Sequence, residues 1–243
     1  MRISKYTAVA VFCLLSLTRQ QTEGREDEGN DGNRVWNFFF GDKEYRPQDS
    51  CKGKQMTCET RNASVVYTHW GRTDCTSDSS DIVYTGYVGG GHYSHHGGGT
   101  DPLCLPDVPE YNDDLKSTTG SRTNLYGAEY ETTSYSPLND MHDHDVICAV
   151  CLAQGRSTSM MIPAKRTCPG GWTKEYEGLL MGSHHTHSGG HDYLCVDGTP
   201  QARHGSLADQ NGFLLYPVVG ICGSLPCPPY TNDAQLPCVV CTW

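Results

Sequence analysis

Two histidine-rich loops carry the residues best suited to chemistry. One is GHYSHHGGG, residues 91–99, with His92, His95 and His96. The other is GSHHTHSGGHDYLC, residues 182–195, with His184, His185, His187 and His191. The spacing His-x-x-His occurs in both, and Asp101 and Asp192 stand close by. Neutral imidazole is a common ligand for zinc and copper, and three or four convergent His and Asp groups suffice to hold zinc. His92, His95, His184, His187 and His191 are therefore the candidate metal ligands. The competing reading is that glycine-rich hairpin loops carry polar residues whose rings bond to nearby backbone. Catalytic use of a metal is not indicated, because there is no His-Glu-x-x-His and no general base paired with the cluster. A further cluster, His142-Asp143-His144-Asp145, precedes Cys148 and could take calcium or a transition metal. It lacks the longer oxygen-ligand run and central glycine of an EF-hand loop, and reads as a solvated acidic turn.

The elements that must position these residues belong to a chain with the marks of export. Arg2 and Lys5 precede an apolar run from Tyr6 to Leu17, too short for a membrane span and of signal-peptide form. Residues 1–24 are read as the signal, with cleavage between 18 and 24. Of 13 cysteines, Cys13 lies in that signal, and the remainder are even in number. An even set in a secreted chain indicates disulfides. The chain is poor in Leu, Ile and Phe and rich in Gly, so crosslinks worth about 2–4 kcal/mol each would offset a limited core. The formal charge is −10, with no basic patch, which argues against nucleic acid as a partner and permits cations. Asn62-Ala-Ser is a glycosylation sequon.

Residues 25–64 form an acidic, turn-rich leader that includes Cys51 and Cys58, with Trp36 to Phe40 as a possible docking strand. Beyond it the chain repeats. Arg-Thr leads into Cys75 and again into Cys168; Tyr84-x-Gly86 matches Tyr176-x-Gly178. His92 and His95 fall on His184 and His187, and Leu103-Cys104 falls on Leu194-Cys195. Each half ends alike, in Cys148-Ala-Val-Cys151 and Cys238-Val-Val-Cys241. This ladder predicts two homologous units, 65–151 and 160–243, joined by a linker at 152–159. Runs such as Ser64–Tyr67, Ile82–Tyr84, Phe213–Tyr216 and Pro217-Val-Val predict strands, with no sustained helical period. The expected class is all-β, with long loops fixed by disulfides.

The residues also resemble a known family. Cys-Pro-Gly-Gly-Trp at 168–172, Tyr-x-Gly-x-Leu-Met at 176–181 and Cys-Ala-Val-Cys at 148–151 are similar to the C-terminal non-collagenous domain of type IV collagen. Trp70-Gly-Arg-Thr, Tyr126-Gly-Ala-Glu129-Tyr, His142 to Cys151 and Leu225-Pro-Cys-Pro-Pro-Tyr230 resemble more closely the invertebrate short-chain, spongin-type collagen-like proteins. The resemblance covers about residues 65–243. It implies the pairs Cys75–Cys151 and Cys104–Cys148 in the first unit. In the second it implies Cys168–Cys241, Cys195–Cys238 and Cys222–Cys227, which leaves Cys51 to join Cys58. The pairing does not follow from the sequence alone, since an even set this large allows very many connectivities. The chain departs from the family in having no Gly-X-Y run, so it cannot build a collagen triple helix.

The Cys-x-x-Cys motifs are read as structural crosslinks rather than redox or zinc sites, given the signal and the repeat-matched partners. The many tyrosines could serve oxidative crosslinking, or could be half-buried sheet residues. No Gly-x-Ser-x-Gly, Walker loop or dinucleotide fingerprint is present. The expectation is a secreted, non-enzymatic structural or interaction protein of an extracellular organic matrix, such as that of a calcified shell or skeleton. Its expected partners are matrix proteins or itself, with mineral surface or metal ions as further candidates and neither nucleic acid nor membrane. It needs no cofactor; zinc, copper and calcium are the candidate ions. The alternative is a soluble metal- or glycan-binding factor that uses the duplicated histidine loops.

Overall fold

The computed structural model describes residues 63–111 and 121–243, which fall within one compact unit. The leader, the sequon at Asn62 and the Cys51/Cys58 pair lie outside the described residues. What is described is all-β. The strands are β1 (Ser64–Trp70), β2 (Ser80–Gly90), β3 (Leu103–Pro106), β4 (Tyr126–Tyr130), β5 (Ile147–Gln154) and β6 (Ser159–Pro163). They continue with β7 (Thr173–Gly182), β8 (Leu194–Asp197), β9 (Phe213–Pro217), β10 (Val219–Gly220), β11 (Ala234–Gln235) and β12 (Pro237–Thr242). A 3-10 turn at Ser136–Met141 is the one helical element among the described residues.

The expected strands at Ser64–Tyr67, Ile82–Tyr84 and Phe213–Tyr216 fall within β1, β2 and β9. Pro217-Val-Val is not one strand. Pro217 ends β9, and Val219 begins β10, which pairs with β11 in a separate ribbon.

The two Cys-x-x-Cys segments form the centre of the sheet. β5 reads ICAVCLAQ and β12 reads PCVVCT, and both are almost wholly buried. Such unbroken apolar runs suit strands covered on both faces. β5 lies between β1 and β2, and β12 lies between β6 and β7, antiparallel in every case. The registers match. Gly86 faces Cys148 as Gly178 faces Cys238, and Tyr84 faces Val150 as Tyr176 faces Val240. A register shift follows at the same place in each pair, between Ile82 and Tyr84 and between Val240 and Cys241. The repeated glycine has a steric cause. A Cβ on Gly86 would sit 1.7 Å from the Leu105 carbonyl oxygen, and one on Gly178 would sit 1.8 Å from that of Val196.

The two halves share one sheet. Its path runs β6-β12-β7-β8-β1-β5-β2-β4-β9, and β9 also pairs with β7, so the path closes on itself. The joins between halves are the parallel pair β4–β9 and the Trp70–Val196 bridge between β1 and β8. Both core clusters draw on both halves. One packs Val88 and Tyr130 with Met181, Val196 and Phe213; the other packs Tyr67 and Cys151 with Tyr176, Cys195 and Val240.

Five disulfides cross this framework: Cys75–Cys151, Cys104–Cys148, Cys168–Cys241, Cys195–Cys238 and Cys222–Cys227. They are the pairs that the family resemblance implies. Each Cys-x-x-Cys sends its two cysteines to different partners because residues three apart on a strand face opposite sides. None of the described helical segments is long and apolar enough to cross a membrane.

Candidate functional site

The histidine loops close the ends of matching hairpins, β2–β3 and β7–β8. Within each loop the first histidine is held locally. The Ser94 backbone N–H donates to His92 Nδ1 at 3.2 Å, and the Ser94 hydroxyl lies 2.9 Å from the same nitrogen. Thr186 treats His184 Nδ1 alike, at 3.3 and 2.8 Å. A backbone bond then closes each turn, His95 N–H to the His92 carbonyl and His187 N–H to that of His184. Each pair of rings also meets one tyrosine edge-on. His92 and His95 lie 4.8 and 5.7 Å from Tyr126, and His184 and His187 lie 5.0 and 5.5 Å from Tyr216. Tyr126 and Tyr216 occupy corresponding places on β4 and β9, which the sequence comparison of the loops does not reach.

The loops also touch each other. Gly189 N–H donates to the Tyr93 carbonyl at 2.8 Å, and a Cβ on Gly189 would lie 2.3 Å from the His92 carbonyl oxygen. Between them lies a cavity of about 150 Å³, lined by His92, His96, His191 and glycine backbone. His191 turns both ring nitrogens to carbonyl oxygens, those of Asp192 at 2.9 Å and Leu214 at 3.0 Å, and stacks on Phe213. That leaves no lone pair aimed at a metal. Burial, and then neighbouring imidazoles, lower the pKa of His92 and of His187. Among the described residues, the group of three His, Cys, Asp or Glu ligand atoms lying within 4.8 Å of one another is not found here.

That group is Glu131, His142 and Asp143. Glu131 follows β4, and its N–H donates to the Leu215 carbonyl. His142 ends the 3-10 turn, its N–H bonded to the Asn139 carbonyl. Asp143 has a left-handed backbone, φ 61°, and donates its N–H to the Tyr130 carbonyl at 2.9 Å. These bonds face the two segments toward each other. His142 Nδ1 is 3.5 Å from a Glu131 carboxylate oxygen, and Nε2 is 3.2 Å from Asp143 Oδ1. Burial pushes the Glu131 carboxyl up to about 6, against the pull of His142. His144 takes no part: its ring faces the Ser206 hydroxyl, and Asp145 pairs with Arg203 at 2.6 Å. Glu129 accepts the N–H groups of Gln210 and Asn211 and acts as a loop anchor.

A third polar constellation is sealed inside the sheet. His69 Nε2 lies 2.7 Å from Asp197 Oδ2, joining β1 to β8 across the two halves. His69 is 0% exposed and stacks on Tyr176 at 4.0 Å. The Tyr176 hydroxyl reaches the carbonyl oxygens of Thr68 and Cys195 at 3.0 and 2.9 Å. Burial raises the pKa of Asp197, but the hydrogen bonds from His69 and from Thr199 outweigh it and leave the pKa lowered. With both rings walled in, this pair serves to fasten β1 to β8 rather than to meet a substrate.

Of the sequence candidates, then, the five loop histidines are brought to one end of the sheet, where the rings of His92, His184 and His191 bond locally and His187 Nδ1 is buried without a hydrogen-bond partner. Glu131 joins His142 and Asp143 from a strand end that carries no metal-ligand spacing. His69 and Asp197 meet across 128 positions, without any local signal. No protein-family model matches this chain.

Proposed function

We propose that this protein is a secreted, non-enzymatic structural protein of an extracellular organic matrix. It acts as a rigid assembly module, without a collagen triple helix. The observation that supports this most is the way both central strands are crosslinked. β5 is tied to β3 by Cys148 and to the segment before β2 by Cys151; β12 is tied to β8 by Cys238 and to the segment before β7 by Cys241. A closed sheet fastened at its centre holds its surface in one shape, and such disulfides belong to oxidising compartments. The resemblance to spongin-type collagen-like proteins points the same way. Strands β2 and β3 also leave Ile82, Tyr87 and Leu103, which their registers set on one face, between 42% and 52% exposed, apolar side chains suited to a second copy of the chain. Light scattering of the oxidised protein, with and without EDTA, tests the proposal. A stable oligomer that ignores the chelator is expected, and dissociation on Tyr87→Asp would locate the contact. A strict monomer through the micromolar range would overturn it.

A further inference from the structure

We propose that Glu131, His142 and Asp143 form a binding site for a divalent transition-metal ion, with zinc as the best fit. The inference starts from a largely buried carboxylate that no protein donor reaches and a buried ring nitrogen without a hydrogen-bond partner, facing each other. Glu131 is 8% exposed, and among the described residues no hydrogen-bond donor reaches its carboxylate. His142 Nδ1 is buried and accepts or donates no hydrogen bond. The two face each other at 3.5 Å, too far for the charge-assisted bond they could have made. Elsewhere in this molecule an imidazole and a carboxylate come to bonding distance, as His69 Nε2 and Asp197 meet at 2.7 Å. Glu131 and His142 thus stop at a separation that leaves His142 Nδ1 without a partner, and its burial makes that costly.

A cation between them would satisfy both. Zinc bonds of about 2.0–2.2 Å in tetrahedral geometry set ligand atoms roughly 3.4 Å apart. The separations here are 3.5 Å from His142 to Glu131 and 3.2 Å from His142 to Asp143. The imidazole meets each carboxylate through a different nitrogen, so binding requires the Asp143 side chain to turn toward the nitrogen that faces Glu131. Asp143 is 30% exposed in its side chain and free to do so. Glu129 and Asp209 lie near enough to add negative potential at Glu131. One imidazole with two carboxylates favours zinc or a neighbouring first-row ion over calcium, which prefers oxygen ligands alone. The partial exposure of His142 and Asp143 leaves coordination positions for water, so the ion is exchangeable.

The experiment is calorimetric titration of the oxidised, chelator-stripped protein with zinc chloride, and of two variants. Absorption spectra with cobalt(II) report the coordination. One zinc per chain is expected, with cobalt bands that zinc abolishes. Glu131→Gln and Asp143→Asn should each weaken binding at least tenfold, while the loop variant His92→Asn/His184→Asn should bind as the parent does. Calcium should not compete. Circular dichroism and Tm of each variant identify loss of fold. If Glu131→Gln fails to fold, Asp143→Asn and the zinc-induced shift of the His142 ring nitrogens in NMR decide the matter. Absence of saturable binding would overturn the proposal, as would zinc binding that survives Asp143→Asn and disappears with the loop histidines.

Discussion

The connection from β4 to β5, residues 131–146, and the connection from β9 to β12, residues 218–236, occupy the same place in the two halves. Each leaves a strand that carries an edge-on tyrosine and returns to a central Cys-x-x-Cys strand. Their contents differ. The second is closed by the Cys222–Cys227 disulfide and the short β10–β11 ribbon. The first has no cysteine and is held instead by backbone bonds to Tyr130, by the Thr132 hydroxyl donating to the Leu138 carbonyl, and by the 3-10 turn. Where a covalent bond stabilises one connection, the other is free to carry acidic and imidazole side chains. Strand, register and disulfide match in the two halves, and the two differ most in these connecting segments.

The sharpest way to break this comparison is to remove matched disulfides. Cys104–Cys148 and Cys195–Cys238 close loops of nearly equal separation, 44 and 43 positions. The chain-entropy relation gives about 4 kcal/mol for either. Double alanine variants of the two pairs should therefore lose similar stability in denaturant titrations, and a large difference would show that the halves do not share a mechanical plan. Removing Cys222–Cys227, with a separation of 5, should cost about 2 kcal/mol by the same relation and leave the rest of the fold intact.

Next in size is the bond that joins the halves. Asp197→Asn leaves His69 buried without its carboxylate, and the expected loss is about 2–3 kcal/mol in chemical unfolding. The sign of its pH dependence is set by the lowered pKa of Asp197 in the fold. Its stabilising contribution is complete above the ordinary aspartate range, near pH 4, and is lost as pH falls through the lowered value. The stability gap between parent and Asp197→Asn should thus narrow in acid; a gap that widens below pH 4 would contradict the assignment.

The smallest effects are expected at the loops. His92→Ala and His184→Ala each remove one exposed turn contact, and each should change stability by about 0.5 kcal/mol or less, and equally. Unequal effects measured by thermal melts would mean that one loop has taken on a role the other lacks.

Much of the framework was legible in the sequence. The matching Tyr-x-Gly and Cys-x-x-Cys positions fall at matching registers in the sheet, and β-branched and aromatic runs announced β1, β2 and β9. β5 and β12 were harder to read as strands, because Cys-Ala-Val-Cys is an unbroken apolar run with no alternation, and periodicity is silent for strands buried on both faces. The closed sheet was not legible at all. It depends on β4 pairing with β9 and β1 with β8, contacts between halves that leave no mark in either half alone. The histidine loops were conspicuous for their composition, yet the rings of His92, His184 and His191 are occupied by turns and carbonyls. Glu131 was inconspicuous, since only the bonds flanking Tyr130 bring it to His142 and Asp143.

The disulfide pattern sets how the chain answers to pulling. Cys75 is bonded to Cys151 and Cys168 to Cys241, so a force applied along the backbone passes through each half by way of a single sulfur–sulfur link. Residues 76–150 and 169–240 are shielded from it. Between the two closures only residues 152–167 can pay out, at no more than about 3.5 Å per residue. Of these, β6 must first be peeled from β12. Pulled between Cys75 and Cys241, the chain would yield a short, bounded extension and then become stiff, a tether with a built-in stop.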